Sequence, residues 1–152
     1  MDKIKRAALR LKVCDSETEL SVLKYLIWAE TRHVAMQAKP QWFYRREHQK
    51  AFVFIRAAFN REEGAKKKAR FWTDRLRLMD HEQLRAANVL GCVGSLKEYY
   101  LRRRVQDCAG WLCDEALKNY TAEQYLETLA KAMAGLRKEI DANKGVIQEA
   151  AA

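Results

Sequence analysis

Apolar positions along this chain recur at helical spacing. Ala65, Ala69, Trp72, Leu76 and Met79 follow one another at steps of 4, 3, 4 and 3, and Leu126, Leu129, Met133, Leu136 and Ile140 repeat the pattern. Such steps gather side chains on one stripe of a 3.6-residue helix, which predicts that both stripes face a core. Helix starts are signalled by five residues that each precede Glu or Gln by three positions. The pairs are Ser16 with Glu19, Asn60 with Glu63, Asp80 with Gln83, Ser95 with Glu98, and Thr121 with Gln124. Each can form a capping box, in which two otherwise unpaired backbone donors are satisfied reciprocally.

Together these signals predict helices over 3–13, 17–38, 41–59, 61–79, 81–92, 96–118 and 122–143. Lys39 and Pro40 break the chain, Gly91 and Gly94 loosen it before the sixth helix, and Gly145 ends the seventh. The expected fold class is all-α: a compact single-domain bundle of six to seven antiparallel helices over residues 1–145, with residues 146–152 frayed. The sequence contains neither an internal repeat nor a low-complexity linker.

Composition agrees with this reading. In 152 residues, 49 % apolar and 32 % charged, a single Pro and six Gly leave little material for the turns of an all-β fold. The length suits one domain with a real core. No apolar run is long enough to span a bilayer and the first ten residues carry charges, so no membrane partner and a cytoplasmic location are expected. Cys14, Cys92, Cys108 and Cys113 lack the tight pairing of a zinc site and are expected as free, buried thiols.

Charge changes the picture most. Of the net +9, residues 41–78 carry +7, with eleven Lys and Arg against four Asp and Glu, while residues 79–152 are close to neutral. A clustered basic surface attracts polyanions, because each phosphate that Lys or Arg neutralises releases condensed counterions. On the predicted fourth helix Lys66, Arg70 and Arg77 lie at steps of 4 and 7 with Lys67 nearby, a basic ridge beside the core stripe. The third adds Arg45 and Arg46 next to Trp42 and Phe43. Tyr44 is placed on a core face with His48, Ile55 and Phe59, leaving Trp42 and Phe43 as the candidates to stack an unpaired base. Arg102 and Arg103 on the sixth helix lie off the Leu101, Val105, Cys108 and Leu112 face and are expected in solvent.

Other chemistry finds less support. Residues 84–104 invite comparison with a helix-turn-helix, but Lys97 falls on a core position and Gly94 makes the turn irregular, so sequence-specific groove reading is not expected. Glu30 and His33 have the spacing of half a di-iron site, and the second half is missing. No nucleophile, zincin or phosphate-loop motif is present. The expectation is a non-enzymatic protein without cofactor or metal that contacts nucleic-acid backbone, DNA or RNA, with little sequence specificity, alone or within a larger nucleoprotein assembly. The alternative is an adaptor or inhibitor whose basic face docks on an acidic protein.

Overall fold

The computed structural model describes residues 13–115, 118–145 and 147–148. Among them the secondary structure is helical, with no strand, and the all-α class stands. In order come α1 (Ser16–Ile27), α2 (Arg32–Ala35), a 3₁₀ turn at Pro40–Trp42, α3 (Arg46–Phe59), α4 (Ala65–Arg75), a second 3₁₀ turn at Ala86–Asn88, α5 (Val89–Glu115) and α6 (Ala122–Ala142). The helix expected over 3–13 lies outside the described residues, except for Val13, which is not helical.

The contacts group the chain into two compact units. One comprises residues 14–100 with 147–148, and is called here the basic unit. The other comprises residue 13 with 101–115 and 118–145, and is called the hairpin unit. The helix α5 contributes residues to both.

In the basic unit, apolar side chains of α1, α2, α3 and α4 meet in one core. Leu23, Leu26, Phe43 and Phe52 are fully buried in it, and Phe43 and Phe52 pack with ring centroids 5.0 Å apart. Burial at this level removes most of each side chain from water, worth about 1.5–3 kcal/mol apiece. One buried polar pair sits in the same core. Glu19 at the head of α1 places Oε1 3.0 Å from His48 Nδ1 on α3 and accepts the Arg45 backbone N–H at 3.2 Å.

Several element boundaries differ from expectation. The predicted helix 17–38 breaks after Ile27, because side chains replace the missing backbone donors there. Arg32 donates from Nε and Nη2 to the carbonyls of Leu26 and Ile27, at 3.0 and 2.7 Å, and Thr31 Oγ1 donates to the Tyr25 carbonyl at 2.8 Å. The Arg32 guanidinium also lies 3.6 Å from the Phe59 ring centroid. Its burial disfavours the charged form and lowers its pKa. With the terminal carbonyls satisfied in this way, the helix ends without glycine.

Only one of the five expected capping boxes forms. Thr121 accepts the Gln124 N–H at 3.2 Å and Gln124 accepts the Thr121 N–H at 2.9 Å, so α6 starts where predicted. At α1 the cap is Asp15, not Ser16; it accepts the Glu17 N–H at 3.2 Å. Asn60 ends α3 rather than starting α4, whose cap is Gly64 in the left-handed region at φ 78°. Asp80 lies in a loop, and Ser95 lies inside α5. The helices predicted over 81–92 and 96–118 are replaced by the short turn and the single helix α5, since Gly91 and Gly94 continue helical backbone despite their low propensity. Met79 is 66 % exposed, past the end of α4, so the core stripe stops at Leu76.

The hairpin unit departs furthest. None of the 21 residues of α6 is fully buried; of the stripe predicted to be core, Leu126, Leu129 and Met133 are exposed and Leu136 and Ile140 are half-buried. Polar contacts help to fasten the unit. Arg104 Nε meets Glu139 at 2.8 Å, and Glu115 accepts from Lys118 Nζ and Tyr120 Oη, both at 2.8 Å. Tyr120 and Tyr125 then pack edge to face at 5.4 Å.

The tail expected to fray is tied down at its start. Gln37 Nε2 donates to the Gln148 carbonyl and Gln37 Oε1 accepts the Gln148 N–H, both at 2.6 Å, and Ile147 packs on the core of the basic unit. All four cysteines are free. Cys14, Cys92 and Cys108 are half-buried and Cys113 is exposed, so they are less buried than expected.

Candidate nucleic-acid interface

The helices α3 and α4 pack against each other, and the sequence between them is short enough to make them antiparallel neighbours. Two contacts fix their register. Arg75 near the end of α4 meets Glu47 near the start of α3 at 3.7 Å, and Lys68 near the start of α4 lies 4.8 Å from the Phe54 ring centroid. Ala65 and Ala69 turn inward, which allows close approach and sends the intervening cations outward. The outward face carries Lys66, Lys67 and Arg70, all exposed and without an ion-pair partner among the described residues.

The start of α4 adds to this charge. No acidic residue lies in its first turn, no side chain caps it, and Lys66, Lys67 and Lys68 follow one another there. Unpaired N–H groups and the positive end of the helix dipole disfavour neighbouring cations, so this arrangement concentrates positive potential with no internal neutralisation within the turn. Glu62 and Glu63 precede the turn and are exposed. At the opposite end of the helix pair, Arg45 precedes α3 and Arg46 opens it, both exposed.

Arg77 is exposed but lies beyond the last residue of α4, at φ 52°. The predicted stripe Lys66, Arg70 and Arg77 therefore does not run along one helix. Arg102 and Arg103 belong to the hairpin unit and are half-buried rather than solvent-facing. Arg103 Nη1 donates to the Val13 carbonyl at 2.7 Å. The eight cations singled out in the sequence thus divide: Arg45, Arg46, Lys66, Lys67, Arg70 and Arg77 are exposed on the basic unit, and Arg102 and Arg103 belong to the hairpin unit.

The expected stacking platform is overturned. Trp42 is 3 % exposed and Phe43 is fully buried, whereas Tyr44, assigned to the core, is 59 % exposed and Phe59 is 39 % exposed. The cause is local. Residues 40–42 form a 3₁₀ turn and Phe43 is extended, with its carbonyl accepting from Gln49 Nε2 at 2.7 Å, so α-helical angles do not apply before Arg46. The exposed ring on α4 is Phe71, 56 % accessible, at the i+4 position from Lys67 and the i−4 position from Arg75. Sequence reasoning passed over it. Its signal was a ring outside the Ala65, Ala69, Trp72 stripe, with a cation one turn away on each side.

Neither of the remaining candidates gathers into a site. Glu30 is in the turn before α2 and His33 is on it, and no group of three His, Cys, Asp or Glu residues suited to a metal ion occurs among the described residues. The region compared with a helix-turn-helix is the continuous helix α5 from Val89 onward, with no turn for a second helix to follow. Among the described residues, no helix is long and apolar enough to cross a membrane.

No protein-family model matches the chain, and no curated protein and no solved structure is significantly similar to it.

Proposed function

We propose that the basic unit binds nucleic-acid backbone with little sequence specificity, without catalysing a reaction, through the outward face of α3 and α4. The observation that carries this reading is the exposed group Lys66, Lys67 and Arg70, three cations on one helix with no acidic side chain paired to them. Long cationic side chains reach phosphate oxygens without reading base edges, so such a face holds a strand in place and leaves its sequence unread. Phe71 between Lys67 and Arg75 supplies an exposed ring beside these charges, which suits a single strand whose bases are free to stack.

Two variants separate the parts. Binding of the full chain to labelled single-stranded and double-stranded DNA and RNA is measured across a salt series. The triple change Lys66→Ala, Lys67→Ala and Arg70→Ala flattens the slope of log K against log salt by about 2–3, since each lost phosphate contact removes about 0.7–0.9. Phe71→Ala weakens single-strand binding by about tenfold or more and leaves that slope unchanged, because stacking releases no counterions. Absence of binding by the folded protein at moderate salt would overturn the proposal and direct the search to an acidic protein partner.

A further inference from the structure

The helix α6 poses a separate problem. It is 21 residues long and none of them is fully buried; Tyr125, Thr128, Ala132, Leu136 and Ile140 are half-buried on one face, and most of a helix's stability in a protein comes from packing such a face. Leu126, Leu129 and Met133 nevertheless form a stripe that is 67, 40 and 59 % exposed. One flank of that stripe is lined by Glu123, Ala130, Ala134 and Arg137, all exposed, at steps of 7, 4 and 3. Small residues thus occupy the middle of the flank, with an acid toward the N-terminal end and a base toward the C-terminal end. Neither Glu123 nor Arg137 has an ion-pair partner among the described residues.

The arrangement is symmetric about Ala130. Glu123 lies seven residues before it and Arg137 seven after; Leu126 lies four before and Ala134 four after. We infer that α6 pairs antiparallel with α6 of a second copy of this chain, about a two-fold axis at Ala130. In that register Glu123 of each copy meets Arg137 of the other, and Leu126 packs over Ala134. The alanines at the axis let the backbones approach, and Met133 lies at the edge of the seam opposite Glu127 of the second copy, while Leu129 points to the side of it. An isologous contact of this kind needs one surface that complements itself, and here the complementarity is in both size and charge. A parallel pair would instead set Glu123 against Glu123.

An acid early and a base late in a helix also suit its dipole, so the test must separate the two effects. Sedimentation equilibrium of the full chain over a concentration series is expected to show a dimer. Glu123→Arg and Arg137→Glu each weaken dimerisation by about tenfold, since two symmetry-related exposed pairs become repulsive at once. The double variant E123R/R137E restores it, because the swapped charges meet across the axis. The helix dipole alone predicts the opposite order, with the double variant the worst. Circular dichroism confirms that each variant stays folded, all substituted positions being exposed. A wild-type chain that stays monomeric at about 100 μM, a dimer insensitive to either single change, or a double variant no better than the singles would overturn the inference. The stripe would then fall to a different partner.

Discussion

The basic unit and the hairpin unit are written in the same sequence pattern and do different things with it. In α3 the residues His48, Ala51, Phe52 and Ile55 recur at helical spacing and are all buried. In α6 Leu126, Leu129 and Met133 recur just as regularly and remain in solvent. Periodicity therefore reports that a helix has an apolar face and is silent on what covers it. Charge separates the units as well. Residues 41–78 of the basic unit carry +7, whereas the hairpin unit balances acids against bases in specific pairs such as Arg104 with Glu139.

The largest expected effect tests this contrast directly. Phe52→Ala empties a fully buried position and is expected to destabilise the protein by about 3–5 kcal/mol in denaturant unfolding. Leu129→Ala, at an exposed position, is expected to cost about 0.5 kcal/mol or less at concentrations where the chain is monomeric. Equal losses would mean that the apolar face of α6 is covered within one molecule.

The buried pair gives the next effect. Glu19→Ala leaves His48 and the Arg45 N–H without an acceptor inside the core, and breaking such a pair from one side costs about 3 kcal/mol. A double change, Glu19→Leu with His48→Leu, is expected to recover part of that loss, since both polar side chains are then removed together and only the Arg45 N–H is left without its acceptor. Thermal unfolding of the single and double variants checks it; a double variant less stable than either single would show that the pair contributes more than its partners' desolvation.

The smallest effect is local and depends on pH. Hydrogen bonds from Lys118 and Tyr120 hold the Glu115 carboxyl below its ordinary pKa, the Lys118 bond acting most strongly. A folded-state value below the unfolded one means that the contribution is present above the unfolded pKa and is lost as pH falls through the folded value. The protection factors of the Lys118 and Tyr120 amides, with the intrinsic pH dependence of exchange divided out, are expected to fall as the solution becomes more acidic than the ordinary carboxylate range. Glu115→Gln is expected to abolish the response. A carboxyl titrating at or above the ordinary value by NMR would contradict the arrangement.

What was legible in the sequence follows from this. Local and self-contained signals were read correctly: the Thr121 and Gln124 box, the extent of α6, the inward Ala65 and Ala69, and the break at Pro40. Signals completed by distant groups were not. The end of α1 depends on where the Arg32 and Thr31 side chains donate, and the positions of Trp42 and Phe43 depend on a turn held by Gln49. The buried pair did leave a trace. Glu19 stands at the head of the stripe Val22, Leu23 and Leu26, as His48 stands at the head of Ala51, Phe52 and Ile55, and two titratable residues each opening an apolar stripe suit one another as partners. For the interface, the location of the charge was legible and its aromatic companion was not, because Phe71 becomes distinctive only once the other rings are known to be inside.

The clasp between Gln37 and Gln148 has a consequence for how the protein is made. Residues 101–146 emerge from the ribosome after the core helices of the basic unit and before the two residues that close it. The basic unit is thus completed only at the end of synthesis, its edge at Gln37 open while residues 101–146 are translated.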